Sequence, residues 1–285
     1  MNLWPEIRDT PVEVGHVRIW WLYQAGFVVK SPGGTTVAID PYLSDSVMAS
    51  YGIPRAVTAP LSAAEAEFDA LLATHPHDDH LDPDCVTSFA AHPRTHFVGP
   101  PSTVKMARAA GFPAVRTNGL RRGESVEIGD IHIEAVMARH MFDEEPTPDA
   151  IGYLITAGSV RIYHSGDTEY DARIVDDTED RVDISLICMN GTAGNMDADE
   201  AALLAWRQRP AVAVPMHFGL WHDRDYGPGA TLDPEQFVSV YRRLSPGAPV
   251  LIPRIDAAID FPLSVSSTTV GWPPDRAYRP PDRHA

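Results

Sequence analysis

Apolar runs broken by turn residues divide this chain into short strands and helices, and their periods say which is which. The first forty residues read as β. VRIWWLYQ is rich in β-branched and aromatic residues, while GFVVKS and TTVAID flank the turn group Pro32-Gly33-Gly34, predicting a hairpin that ends at Asp40. Residues 61–68 (LSAAEAEF) predict a short helix capped by Ser62, with Glu65 at the capping-box position. DALLAT then reads as a buried strand that runs directly into HPHDDH, after which Asp82 and Pro83 predict a helix start. THFVGP predicts a strand and STVKMARAAG a helix closed by Gly111. IHIEAVMA alternates as a strand, GYLITA and VRIYH form a second hairpin, and DISLICM is a buried strand. ADEAALLAWRQ is a helix and AVAVPMH a last strand. Interleaved strands and helices make the class α/β.

GFVVKSPGGTTVAID (26–40) and GYLITAGSVRIYHSGD (152–167) repeat one order: Gly, aromatic, apolar strand, small-residue turn, second strand, closing Asp. In both, the next strand begins at another aspartate, Asp69 or Asp183. Two related halves offering loops to a shared edge are one reading; two ordinary hairpins are the other. Residues 1–267 are expected to form one domain. The stretch 268–285 (TTVGWPPDRAYRPPDRHA) has no apolar periodicity, and is read either as disordered or as an arm laid over a neighbouring subunit of a homo-oligomer.

The polar positions that interrupt these strands concentrate chemistry. THPHDDH places His75, His77, Asp79 and His80 between a strand and a helix, with the nitrogen and oxygen donors that Zn²⁺ and similar divalent ions take. In an extended loop His75 and His77 point the same way and can share one ion, and Asp79 and His80 can face a second. An ion needs at least three protein ligands. His140, Asp167 and His217 each follow the C-terminal end of a predicted strand, where open α/β sheets place ligand sites. His164, just upstream of Asp167, is either a core histidine or a catalytic substrate or proton-relay group. Asp40 is either a turn cap or a support for a ligand, and Asn190 is a candidate substrate contact.

The order H-x-H-x-D-H, then His, then Gly-Asp, then His resembles that of the metallo-β-lactamase fold. WWLYQAGFVVKSPGGTTVAIDPYL, LLATHPHDDHLD, FVGPPSTV, YHSGDTEY and VPMHFGLW are similar more narrowly to its L-ascorbate-6-phosphate lactonase branch. The resemblance implies a four-layer αβ/βα sandwich with two divalent ions, Zn or Mn with Fe also suited, between the sheet edges. His75, His77 and His140 would hold one ion. Asp79, His80 and His217 would hold the other, Asp167 would bridge both, and Asp40 would orient a histidine through its distal N–H. Two departures separate the chain from those lactonases: only 34 residues lie between Asp40 and His75, and MFDEEPTPDA after His140 is acidic.

Composition narrows the partners. A formal net charge of −16 opposes the phosphate neutralisation that binds long nucleic acids, leaving a small-molecule substrate. No apolar run reaches the roughly 18 residues that span a bilayer, so no membrane partner is expected. Two distant cysteines, Cys85 and Cys188, make no disulfide framework and point to a reducing cytoplasm. The expected function is a metal-dependent hydrolase in which a hydroxide between two ions attacks a small lactone or ester, with Asp79 orienting it or passing on its proton. The alternatives are a small-molecule phosphodiesterase with the same metals, or a non-catalytic metal-binding protein.

Overall fold

In the computed structural model, residues 2–141, 146–222 and 233–263 are described. Two mixed sheets face one another. In the first, β1 (Val17–Trp21), β2 (Phe27–Lys30) and β3 (Thr36–Ile39) form an antiparallel meander. β4 (Ala70–Leu72), β5 (His96–Gly99) and β6 (Thr117–Gly119) continue it in parallel, and β13 (Ile259–Phe261) covers the β1 edge. The second sheet runs, from one edge, β12 (Val212–Met216), β11 (Ile184–Cys188), β10 (Val160–His164), β9 (Ile151–Ala157), β8 (Ile131–Met137) and β7 (Ser125–Ile128). β10, β11 and β12 are parallel to each other, while β7 to β10 alternate in direction.

The period of two along each strand of the first sheet separates two cores. Ile19, Trp21, Phe27, Val29, Val37, Ile39, Ala70 and Leu72 face the other sheet, where they meet Ile133, Tyr153, Ile155 and Ile162. Their neighbours Trp20, Val28, Ala38 and Leu71 face outward, onto α1 (Trp4–Asp9), α3 (Pro83–Ala91) and α4 (Pro101–Ala109). Beyond the second sheet lie α5 (Ala172–Thr178), α6 (Ala198–Gln208) and α7 (Pro234–Leu244). The result is helix, sheet, sheet, helix: the expected αβ/βα sandwich. Both faces of each sheet are therefore buried, and each fully buried Ile or Phe contributes about 1.5–3 kcal/mol.

Local chemistry explains the element ends. Asp82 caps α3 by accepting from Asp84 N–H and Cys85 N–H, and it also accepts from Leu43 N–H, Ser44 N–H and the Ser44 hydroxyl. One carboxylate thus ties the loop after β3 to the helix after HPHDDH. Asp197 and Glu200 form a full capping box on α6.

Two expectations change. Residues 61–68 make only a turn rather than a helix: Glu65 accepts from the Asn2 side chain (2.9 Å) instead of reaching back to Ser62. Leu61, Ala63, Ala66 and Phe68 are all buried by that turn, a spacing that no single helical face provides. The first forty residues are not all β, because Trp4–Asp9 is helical, with Pro5 in its first turn and the buried Lys30 ammonium donating to its last carbonyls, Ile7 O and Arg8 O. A short helix, α2 (Ser46–Tyr51), follows the first hairpin. The segment 268–285 lies outside the described residues.

Candidate metal centre

β1, β3 and β4 of the first sheet and β8, β10, β11 and β12 of the second all send their C-terminal ends to one rim of the sandwich. Asp40 follows β3, the HPHDDH segment follows β4, and His140, Asp167 and His217 follow β8, β10 and β12. Residues 75–80 are not extended. His80 N–H and Leu81 N–H both donate to His77 O, so the segment closes into a turn that turns all its donors inward. Its open side is Pro76–Asp79, which is half-buried, while His75 and His80 are buried.

The seven expected ligands converge. His75 Nε2 lies 2.9 Å from His77 Nδ1, which lies 3.2 Å from His140 Nε2. His80 Nε2 and His217 Nε2 are 3.3 Å apart, and Asp79 Oδ2 is 3.8 and 3.6 Å from them. Asp167 spans the two groups: Oδ1 is 3.3 Å from His80 Nε2 and 3.1 Å from His217 Nε2, and Oδ2 is 3.9 Å from His140 Nε2. Within each of three triads (His75–His77–His140, His75–His80–Asp167 and Asp79–His80–His217) the donor atoms lie within 4.8 Å of one another. A tetrahedral ion with bonds of about 2.0–2.1 Å sets its ligand atoms about 3.3 Å apart, so the spacing fits divalent metal. Asp167 Oδ1 is buried without a properly directed hydrogen bond, which fits an oxygen whose partner is a cation.

The distal nitrogens are held as well. Asp40 accepts from Thr74 N–H (2.8 Å) and the Thr74 hydroxyl (2.7 Å), and its Oδ2 is 2.8 Å from His80 Nδ1. The same hydroxyl oxygen sits 3.0 Å from His75 Nδ1. One buried carboxylate thus supports His80 directly and His75 through Thr74, which fits the orienting role expected of Asp40. Gly166 makes this approach: at φ +58°, a Cβ there would come within 2.8 Å of Thr74 Cβ.

Charge is divided across the group. Burial, aided by His80, keeps His75 well below the usual imidazole range, and burial holds His140 to about 4. Burial also opposes charge on His80 and His217, but Asp167, with Asp79, outweighs it and raises both. For Asp167, burial pushes upward, yet His217 and His80 hold it well below the usual carboxylate range. One half therefore offers neutral lone pairs and the other a field that favours positive charge, the combination a cation requires.

Two candidates stand apart from the ligand group. His164 is buried, with Nε2 2.8 Å from Ala25 O and Nδ1 accepting from Gly166 N–H. With both ring nitrogens on backbone, it fastens the tip of the β1–β2 hairpin to the end of β10 and has no nitrogen for substrate or proton relay. Asn190 is buried at the end of β11, and neither polar atom of its carboxamide has a partner among the described residues. Two supports were not foreseen. Asn195 donates to Asp167 Oδ2 (2.7 Å), and Gln24 meets His217 Nδ1 (3.2 Å). Nothing in NGTAGNMD distinguishes Asn195 from Asn190, and Gln24 reads only as the last residue of the strand-like run VRIWWLYQ.

Comparison with known proteins agrees with this geometry. The family model of the beta-lactamase superfamily domain matches residues 18–217. A UPF0173 metal-dependent hydrolase of Anaeromyxobacter dehalogenans is 32% identical over 83% of this chain and 87% of its own. A Salmonella heidelberg protein named as a probable L-ascorbate-6-phosphate lactonase, UlaG, is 26% identical over 76% and 73%. Igni18, a metallo hydrolase from Ignicoccus hospitalis, superposes with a TM-score of 0.68 over 87% of this chain and all of its own, at 21% identity. The chain belongs to the beta-lactamase superfamily, and within it to the metal-dependent hydrolases.

Proposed function

We propose that the chain is a dinuclear hydrolase that opens a lactone or cleaves an ester of a small molecule. What carries this reading is the set of seven donors, gathered from four strand ends into two three-residue groups that share Asp167. His75, His77 and His140 would hold one ion, Asp79, His80 and His217 the other, and Asp167 both. Divalent ions bound there supply Lewis acidity and lower the pKa of water to about 7 in favourable cases. Zn or Mn suits the mixed nitrogen and carboxylate donors, as does Fe.

The protein's own residues do the remainder. Asp79 is the partly exposed carboxylate of the group, placed to orient an attacking water or accept its proton. Asp40, Thr74 and Asn195 keep the ligands in one arrangement, so little reorganisation is needed when charge develops. Asn190, whose buried carboxamide carries both a donor and an acceptor, is the candidate contact for a carbonyl or hydroxyl of the substrate. The net charge of −16 favours a small substrate over a long polyanion. Cys85 and Cys188 are buried free thiols, in keeping with a cytoplasmic site of action, and no helix among the described residues is long and apolar enough to cross a membrane.

Elemental analysis of protein purified without chelator and then remetallated tests the reading. The expected result is close to two equivalents of metal, with chelation abolishing turnover. A panel of carboxylic esters, lactones and phosphodiesters then separates the bonds, and turnover confined to phosphodiesters would replace the lactone or ester assignment. Protein that never carries more than one equivalent sinks the dinuclear proposal.

A further inference from the structure

The distal nitrogen of His217 meets a neutral side chain, Gln24, from the loop that joins two strands of the other sheet. We infer that Gln24 is the positioning residue for His217: its carboxamide holds Nδ1 so that Nε2 keeps its lone pair directed at a metal ion. This assignment rests on the two-metal reading above and adds a residue to it.

The local backbone is built for this contact. Gln24 (φ +49°) and His217 (φ +68°) both occupy the left-handed region that side-chain-bearing residues avoid. Such a conformation costs about 1–2 kcal/mol per residue and persists only where the surroundings hold it. Here they do: His217 N–H donates to Gln24 O (3.0 Å), Gln24 N–H donates to Phe218 O (3.3 Å), and Trp21 Nε1–H donates to the same Gln24 O (3.0 Å). Two strained residues from different sheets are thus paired through main chain and side chain alike. Gln24 is 1% exposed, so its amide meets protein and not solvent.

The chemistry of the pair follows from proton count. An imidazole that ligates through Nε2 carries its proton on Nδ1, and that N–H needs an acceptor. The Gln24 side-chain oxygen provides one once the amide is turned to face it. Its Oε1 has no partner among the described residues, while Nε2 sits 3.2 Å from His217 Nδ1. A half-turn of the amide exchanges those two atoms in place and moves an acceptor onto Nδ1. Asp40 on His80 differs, because a carboxylate only accepts and adds charge. A carboxamide can serve either tautomer without charge, so His217 has a support that follows the ring as an ion binds or leaves.

Zn²⁺ binding measured in competition with a chromophoric chelator tests this, in wild-type protein, Gln24→Leu and Gln24→Glu, with circular dichroism of each metal-free protein as the check on folding. Gln24→Leu keeps the bulk and removes the acceptor, so one of the two equivalents is expected to weaken about ten- to hundredfold while the other is unchanged. Gln24→Glu restores an acceptor and is expected to bind both within a few-fold of wild type. Wild-type affinity for both equivalents in Gln24→Leu overturns the assignment, and so does an equal loss in the two variants, which marks packing alone. Should Gln24→Leu fail to fold, Gln24→Glu decides by itself, since a tenfold loss there is incompatible with a need for an acceptor. Wild-type protein that takes up no Zn²⁺ overturns the two-metal reading itself, and this assignment with it.

Discussion

The candidate ligands differ in what each one faces, and substitution can separate them. Asp167 approaches His80, His217 and His140 and takes a hydrogen bond from Asn195, so it faces both halves of the cluster. His140 faces His77 and His75, and its distal nitrogen has no partner among the described residues. Asp167→Ala is therefore expected to lower both metal equivalents together, and His140→Ala chiefly one. Each should cost turnover at least about a hundredfold, beyond the ten- to hundredfold typical of residues that only orient ligands. Metal content per protein decides: equal losses of a single equivalent in both variants would contradict a shared carboxylate. Backbone strain marks the same rim. Of the seven non-glycine residues with positive φ among those described, Tyr23, Gln24, Asp40 and His217 sit at this rim. Strain of this kind is tolerated where tertiary contacts over-determine the conformation.

At the scale of elements, the two hairpins anticipated from GFVVKSPGGTTVAID and GYLITAGSVRIYHSGD occupy matching places in the two sheets. β2–β3 is followed by the parallel β4, and β9–β10 by the parallel β11. Asp69 accepts from Thr36 N–H at the start of β3, and Asp183 from Arg161 N–H in β10, so the aspartate that opens each following strand makes the same bond. At the rim away from the metals, the β2–β3 turn meets the β7–β8 turn through Asp130, which accepts from the Ser31 hydroxyl (2.6 Å) and Gly33 N–H (2.8 Å). A Cβ on Gly33 would lie 2.4 Å from that carboxylate, so a larger residue there would push the carboxylate out of this position. Burial alone would raise the Asp130 carboxyl, but these bonds outweigh it and lower it. A carboxylate lowered in the folded state stabilises the fold above its unfolded value of about 3.9, and that contribution disappears as pH falls through the folded value. Asp130→Asn should thus cost about 1 kcal/mol near neutral pH, discounted for its exposure, or roughly 2–4 °C in melting temperature. Thermal melts at pH 6 and pH 3 check this. The gap between variant and wild type closes at low pH, and a gap of equal size at both would remove the assignment.

For the whole molecule, the metal centre lies between the sheets. His75, His77, Asp79 and His80 come from the first sheet, and His140, Asp167 and His217 from the second. Ions held by both sheets would stabilise the sandwich by mass action, about 2.7 kcal/mol when free metal exceeds its dissociation constant a hundredfold. Chelation should accordingly lower the melting temperature by roughly 5–10 °C in a chain of this size. Calorimetry with and without chelator measures it, and an unchanged melting temperature would mean that the ions do not join the two sheets. Ions bound there would neutralise Asp79 and Asp167 and so lessen the −16 net charge at the rim.

Sequence alone determined the class of fold and pointed to the seven candidate donors that the fold brings together. Both are local properties: the period of apolar residues sets strand or helix, and strand ends in an α/β sheet collect ligands. HPHDDH, His140, Asp167 and His217 could be found because each stands where a periodic run stops. The helix expected at 61–68 failed because packing buries Leu61, Ala63, Ala66 and Phe68 together, which no single helical face allows, while its capping glutamate turns to Asn2, far away in the chain. What holds the donors in place was likewise decided by tertiary structure. Gln24 reaches His217 across 193 positions, Asp40 reaches His80 across 40, and Asn195 reaches Asp167 across 28. His164, which stands one residue before Ser165-Gly166-Asp167, turned out to fasten one sheet to the other through Ala25 O. A side chain's neighbours in space depend on how whole sheets pack, and no period or spacing along the chain records that.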